Sequence, residues 1–332
     1  MAISILDLGV YSYLLIFAAS FIISNLSAKL LAPKLKAAGI TGKDVNKPGM
    51  PEVAEMGGMA VVIGFSAGIL LAIALNTFNG MEFNILYILA GLITIHALAF
   101  VGIIDDLLSI PQWAKALMPL FAAVPLIAVT AAGSTEMGIP FVGTIDFGAF
   151  YVLVLIPIGV AVASNLTNML AGFNGMEAGM GSAIFLFMAM LAWSQGNTEM
   201  LVFYLPMLGA LLGFLPLNWY PAKVFPGDVG TLTIGAALAT GVIIGNMESA
   251  GALILSLFVL DFFIKLANGF PSSKWWGEAK GGKLYPVEGK VRGLCQLVMK
   301  LFNGISERSL VLLMIFAQTL VGLFVLILFC RP

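Results

Sequence analysis

The chain has 332 residues, of which 60% are hydrophobic and only 10% charged, and its net charge is −1. A soluble domain carries about 25% charged residues, so this composition excludes one and points to a polytopic membrane protein. One histidine and two distant cysteines, Cys295 and Cys330, give neither a zinc-type ligand set nor a disulfide framework, and the cysteines are expected to stay unpaired.

A membrane span needs about 20 apolar residues. The first apolar stretch, at about 9–33, is long enough, and no charged segment precedes it, so it reads as a helix and not as a cleavable signal. Further spans follow at about 56–76, 84–104, 113–132, 149–166, 178–193, 199–217, 229–247, 250–268 and 309–330, about ten in all. The connection 133–148, GSTEMGIPFVGTIDFG, reads as a short hairpin punctuated around Pro140–Val142. Residues 269–308 form the longest polar segment, a long loop within a single transmembrane domain covering 1–332.

Charge sorts the connections. Every lysine and arginine except Arg331 falls in or beside the loops after the odd-numbered spans, while the opposite loops carry Glu82, Glu136, Asp146, Glu199 and Glu248. The positive-inside rule makes the basic face cytoplasmic and puts both termini and the hairpin outside. The expected fold is therefore an all-α polytopic membrane protein whose polar chemistry lies on the cytoplasmic face.

The loops of that face are unusual. The first holds KDVNKPGMPEVAEMGG, 43–58, and the second follows FVGIIDDLLSIPQWAK, 100–115. The third is NLTNMLAGFNGMEAG, 165–179, and the fourth NWYPAKVFPGDVGTLTIG, 218–235. Each has an ordinary reading alone. Asp105 and Asp106 suit a solvated helix end, Asp228 an N-cap, Lys115 a snorkelling side chain, and Asn with Gly suits helix ends and turns. Acids, amides and lysines converging from four loops, with nothing comparable opposite, point instead to a site. Carboxylate and amide oxygens suit a hard cation such as Mg²⁺, and lysines beside it would bind phosphate. That combination suits phosphoryl transfer between a cytosolic substrate and one from the bilayer.

Other features have structural readings. His96 lies inside the third span and is expected to be packed. Asp261, inside the ninth span, is a functional candidate as an intramembrane carboxylate, with pairing to Lys265 one helical turn on as its structural alternative. Trp275 and Trp276 read as interface anchors.

The motifs GIIDDLL, NMLAGFNGMEAG, NWYPAKVFPGDVGT and ISERSLVLLM resemble those of the polyprenyl-phosphate N-acetylhexosamine-1-phosphate transferases. The likeness runs over nearly the whole chain and is strongest to the branch that passes GlcNAc-1-phosphate from UDP-GlcNAc to dolichyl phosphate, the first step of lipid-linked N-glycan assembly. It implies ten helices, a cytosolic active site and Mg²⁺, with Mn²⁺ as the alternative ion. Carried over by motif, Asn168 and Asp228 would be the metal ligands. Asp105, Asp106 and Lys115 would line the metal and acceptor-phosphate site, with either aspartate a candidate base. Asn174 would bond the uracil and Phe225 stack on it. Asp44, Val45 and Glu52 would lie on the nucleotide side, with Glu55 as the alternative to Glu52, and Glu177 would join the substrate-binding set.

The last loop departs from the family. NGFPSSKWWGEAKGGKLYPVEGKVRG has no histidine where the family places His and Arg. Lys274 is the nearest substitute, with Lys280, Lys283 and Arg292 as alternatives. The missing histidines argue against the peptidoglycan branch. Expected partners are UDP-GlcNAc, a polyprenyl or dolichyl phosphate, the membrane lipids and, at family level, a second copy of the chain; no nucleic acid is expected. The short loops fit an archaeal-like plasma membrane, or the ER membrane in a eukaryote. The same chemistry with another UDP-N-acetylhexosamine or with undecaprenyl phosphate is the alternative. A secondary transporter is the rival from another class, opposed by the scarcity of ionisable residues deep in the spans.

Overall fold

The structure is a computed structural model that describes residues 5–130, 134–139, 142–271 and 273–330, with side chains from residue 9. Pro140 of the expected hairpin and Arg331, the lone basic residue of the acidic face, lie outside the described residues. In chain order the helices are α1 (Ile5–Ala37), α2 (Gly58–Asn79), α3 (Ile85–Leu108), α4 (Gln112–Ala122), α5 (Val124–Thr130), α6 (Ile156–Met169), α7 (Met176–Ser194), α8 (Thr198–Asn218), α9 (Gly227–Ile244), α10 (Glu248–Ile254), α11 (Ser256–Ala267), α12 (Leu294–Leu301) and α13 (Glu307–Phe329).

Among the described residues nine helical segments are long and apolar enough to cross a membrane, and a bent pair makes up to ten. The bent pair corrects one expectation. The span anticipated at 250–268 is broken into α10 and α11, which meet at 60°. A break frees backbone carbonyls that lipid cannot satisfy. Here the Ile254 carbonyl at the end of α10 accepts a hydrogen bond from Gln318 Nε2 on α13, at 2.9 Å.

In lipid there is little hydrophobic force between helices, so close packing needs small residues. Gly209 and Gly213 of α8 meet α1 this way. A Cβ at Gly213 would lie 2.3 Å from the Phe21 carbonyl oxygen. Ser24 and Asn25 of α1 then reach the Ala210 and Gly213 carbonyls, at 2.7 and 2.8 Å. Below this seam the core is filled by Phe65, Phe185, Phe203, Tyr204 and Phe214, all fully buried. His96 is held between Ser66 Oγ, at 2.9 Å, and the Leu92 carbonyl, at 2.8 Å, as its place inside a span suggested.

Among the described residues three antiparallel hairpins join the helices, where one was expected. β1 (Thr41–Lys43) pairs with β2 (Glu52–Ala54), β3 (Glu136–Ile139) with β4 (Gly143–Asp146), and β5 (Gly277–Lys280) with β6 (Lys283–Pro286). The β5–β6 turn is Gly281-Gly282, both at positive φ, as a tight two-residue hairpin turn requires. The β1–β2 loop meets β5 where Gly277 N–H donates to Asn46 Oδ1 at 2.9 Å, and β3 meets α10 where Ser249 Oγ donates to the Gly138 carbonyl. Both cysteines are free.

Candidate active site

The site is built where α9 begins. The first loop runs beside the segment before α9 in a short parallel bridge, Ala54 to Val224. Phe225 N–H donates to the Ala54 carbonyl, and Gly57 and Gly58 N–H donate to the Phe225 and Pro226 carbonyls, each at 2.8 Å. So close an approach needs glycine: a Cβ at Gly58 would stand 2.2 Å from the Gly230 backbone nitrogen. The conformation that starts α9 places Asp228 in its first turn, with Gly227 before it at φ +65.

The last turn of α3 comes up against that turn. A Cβ at Gly102 would lie 2.4 Å from Val229 Cα, so the two helices touch backbone to backbone. Asp106 Oδ1 accepts from Asp228 N–H at 2.8 Å, and Oδ2 from Val229 N–H at 3.3 Å. These are N–H groups that a helix start leaves without partners. Asp106 supplies their cap from another helix and adds negative charge at the positive end of the dipole.

Its neighbour faces elsewhere. Asp105 Oδ1 accepts from Ile110 N–H at 2.9 Å, and Oδ2 pairs with Lys115 Nζ at 2.7 Å. Lys115 also pairs with Asp228 Oδ2. Asn168, at the end of α6, completes the group. With its amide turned so that both atoms are satisfied, its oxygen accepts from Lys115 Nζ at 2.7 Å, while its nitrogen donates to Asp228 Oδ1 at 3.0 Å and Thr231 Oγ1 at 2.9 Å. Three acceptor oxygens from three helices thus converge on one buried ammonium.

This set fits a hard divalent cation. Among the described residues no three His, Cys, Asp or Glu side chains form a metal cage. Mg²⁺ does not require one; it is commonly held by one or two protein oxygens together with water and substrate phosphates. Asn168 and Asp228 offer an amide and a carboxylate oxygen at a spot that already draws positive charge.

A cavity of about 1050 Å³ opens from here, lined by Asp44, Val45, Glu55, Lys115, Asn168, Glu177, Phe225 and Asp228 among others. It extends along Ala161, Val162 and Asn165 of α6 to Val259, Phe262 and Phe263 of α11. Val162 and Phe263 are exposed on the outside of the bundle as well, so the cavity opens sideways between α6 and α11. Trp275, read as an interface anchor, lies on the cavity wall instead, packed against Gly172, where a Cβ would meet its ring at 2.2 Å.

A second polar cluster adjoins the cavity. Lys47 Nζ pairs with Asp44, with Glu307 Oε2 at 3.1 Å and with Asn174 Oδ1 at 2.8 Å. Asn174 Nδ2 donates to Asp44 Oδ2 at 3.1 Å, and its oxygen also accepts from Ala222 N–H at 2.8 Å. Both ends of the expected uracil-binding amide are thus engaged within the protein, and Asn174 is absent from the cavity wall. Lys47 and Glu307 were missed by sequence reasoning. The only signal was Glu307 inside the ISERSLVLLM motif.

Glu177 Oε1 accepts from Gly172 N–H at 2.5 Å, while Oε2 is buried with no hydrogen-bond partner among the described residues. Of the two alternatives in the first loop, Glu55 lines the cavity, and Glu52 is exposed on β2. Burial and then the Asp106 carboxylate raise Glu55 above its ordinary 4.5. In the last loop, Lys274 pairs with Glu288, and Arg292 pairs with it at 2.7 Å. The two cations hold Glu288 down at about 2. Lys274 and Lys283 do not reach the cavity wall. Asp261 and Lys265 pair at 2.8 Å, the structural alternative, and Lys265 does line the cavity.

Fold and site define a polytopic membrane protein whose cavity joins a polar cluster of side chains to apolar residues of α6 and α11. Residues 88–246 match glycosyl transferase family 4. The chain is 35% identical to a protein of Saccharolobus solfataricus provisionally named UDP-N-acetylglucosamine–dolichyl-phosphate N-acetylglucosaminephosphotransferase, over 88% of this chain and 89% of that one. It is 32% identical to a protein of the same name from Sulfolobus acidocaldarius, over 87% and 88%. The phospho-N-acetylmuramoyl-pentapeptide-transferase of Shouchella clausii is 34% identical over 65% of this chain and 67% of its own. The chain belongs to glycosyl transferase family 4, the polyprenyl-phosphate N-acetylhexosamine-1-phosphate transferases.

Proposed function

We propose that the protein transfers GlcNAc-1-phosphate from UDP-GlcNAc to a dolichyl-type polyprenyl phosphate and releases UMP, on the cytoplasmic side of the plasma membrane. The observation that carries this reading is the single cavity that joins the Lys115–Asn168–Asp228 group to a lateral apolar opening. One end suits a nucleotide diphosphate and the other a lipid tail. The names of the two archaeal relatives supply the donor and acceptor. The basic loops of this face support the cytoplasmic side.

Asn168 and Asp228 would hold Mg²⁺, which would offset the charge of the donor pyrophosphate. A phosphate monoester has its second pKa near 6, so the acceptor is largely dianionic at neutral pH and needs no base. One of its oxygens attacks the sugar-bearing β-phosphorus. The bond from that phosphorus to the bridging oxygen breaks, and UMP leaves with the electron pair. Lys115 neutralises phosphate charge beside Asp228. Asp105 orients Lys115, and Asp106 holds the backbone that carries Asp228. Phe225, half-buried on the wall, offers a ring face to the base.

UMP release by purified protein given UDP-GlcNAc, dolichyl phosphate and Mg²⁺ tests the reading. Release that requires lipid and metal together is expected. UDP-GalNAc and UDP-glucose in parallel rank the donors. No release with any donor, from folded protein, overturns it.

A further inference from the structure

We infer that Lys265 holds the acceptor's phosphate, an assignment that rests on the transferase reading above. Among the described residues the lysines on the cavity wall are Lys43, Lys115 and Lys265, and no arginine joins them. Lys115, assigned above to phosphate charge beside Asp228, already meets three protein oxygens, from Asp105, Asp228 and Asn168, so a second cation is needed for the acceptor. Lys43 is exposed on β1, next to Asp44 and Val45 on the expected nucleotide side. Lys265 sits on a different wall. It belongs to α11, within one turn of Phe262 and Phe263, the residues that frame the lateral opening with Val162.

Its head reaches the other end of the chamber. Lys265 Nζ donates to the Met169 carbonyl, one peptide unit from Asn168. One side chain therefore bridges the lipid-facing helix and the end of the helix that carries the metal-site amide. A phosphate whose tail lies between α6 and α11 meets this ammonium as it approaches Asp228.

The ammonium is also prepared for an anion. It has three N–H donors. One goes to the Met169 carbonyl, while Asp261 Oδ2 lies 2.8 Å from the nitrogen as its ion-pair partner, outside hydrogen-bond geometry. No further protein acceptor meets the ammonium among the described residues. Asp261 is 1% exposed, and its other oxygen accepts from Leu294 N–H at 2.7 Å, so the carboxylate is fixed to the start of α12 and holds the lysine in place. The lysine side chain is only 14% exposed, where an ion pair with phosphate is screened less than in open water.

A purely structural strut would use the same contacts, so the test separates the two substrates. Lys265→Met alone would leave Asp261 as an uncompensated buried carboxylate, so the informative variant is Lys265→Met with Asp261→Asn; Lys265→Arg is the conservative partner. UMP release is measured against lipid phosphate and against UDP-GlcNAc. Separately, native mass spectrometry without nucleotide compares a short-chain polyprenyl phosphate with its uncharged polyprenol. The double variant is expected to raise the KM for the lipid phosphate roughly tenfold and that for UDP-GlcNAc less than about twofold, with Lys265→Arg close to wild type. It is also expected to lose the preference for the phosphorylated lipid while still binding the polyprenol. Equal rises in both KM values, or loss of both lipids together, overturn the assignment in favour of a strut. If the wild type releases no UMP, the transferase reading falls by itself. The binding comparison still decides Lys265, because equal retention of the phosphorylated lipid by wild type and double variant overturns it.

Discussion

Asp106 Oδ1 accepts a hydrogen bond from the backbone N–H of Asp228, 122 residues along the chain, at 2.8 Å. Adjacent aspartates thus do different work: Asp105 pairs with Lys115, and Asp106 fixes the turn from which Asp228 projects. Asp106→Ala removes both acceptors and is expected to cost about 1–2 kcal/mol together with most turnover. Asp106→Asn keeps one oxygen acceptor and should recover most of the stability. Thermal unfolding beside UMP release checks this, and indistinguishable variants would contradict the cap.

Asn168→Ala and Asp228→Ala are expected to lower turnover by about a hundredfold or more while the protein stays folded. A Mg²⁺ titration of residual activity in Asn168→Ala should need more metal. Rates like those of wild type in either variant would sink the metal assignment.

Among the described residues Lys47 is the one cation that meets Asp44, Glu307 and the Asn174 oxygen together, and both carboxylates are nearly inaccessible, at 2% and 4% exposure. Lys47→Met strands them. The expected loss is about 3–5 kcal/mol, read from denaturation midpoints. A Lys47→Met/Glu307→Gln double variant should recover part of it, and no recovery would show that the carboxylates are not the cause.

Phe225→Ala should raise the KM for UDP-GlcNAc about tenfold with little change in kcat, because a stacking contact binds ground and transition states alike. A loss confined to kcat would argue against stacking.

Glu55 binds its proton more tightly in the folded chain than in the unfolded one, since burial and Asp106 disfavour its charge. Its contribution is present below the unfolded value of 4.5 and is lost as pH rises through the folded value. Glu55→Gln should remove that slope and leave the protein at least as stable as wild type at neutral pH. Unfolding temperatures of both proteins across about pH 4–8 make the comparison. Parallel profiles would contradict it.

Long apolar runs made most spans legible. The second and third, expected at 56–76 and 84–104, appear as Gly58–Asn79 and Ile85–Leu108. The break at Leu255 left no mark, because neither Gly nor Pro causes it and Gln318, which satisfies the freed carbonyl, lies 64 residues away. The β5–β6 turn did have a local signal in Gly281-Gly282, masked by the polar composition around it. Asn168, Asp228 and Lys115 stood out because each sits in a compact motif, and the fold brings them together. Lys47 has one partner in its own loop, Asp44, but gains Glu307 and Asn174 from two distant segments that its loop does not foretell. Glu52 and Glu55 show the limit of spacing: β2 ends at Ala54, so Glu55 escapes the strand and turns to the cavity, while Glu52 stays on the exposed edge.

If the acceptor enters as proposed, the opening between α6 and α11 also governs what kinds of tail the protein tells apart. Drawing an isoprenoid chain into water would cost about 0.8 kcal/mol for each methylene-sized group. A doorway in the flank of the bundle avoids this, since only the part nearest the phosphate leaves the hydrocarbon. On the proposed reading, the tail beyond Val162 and Phe263, both exposed on the flank, would stay dissolved in lipid whether the ligand is bound or free. Its length therefore cancels from the binding equilibrium. Such a wall can sense saturation or branching in the first units, but it is blind to how many units follow.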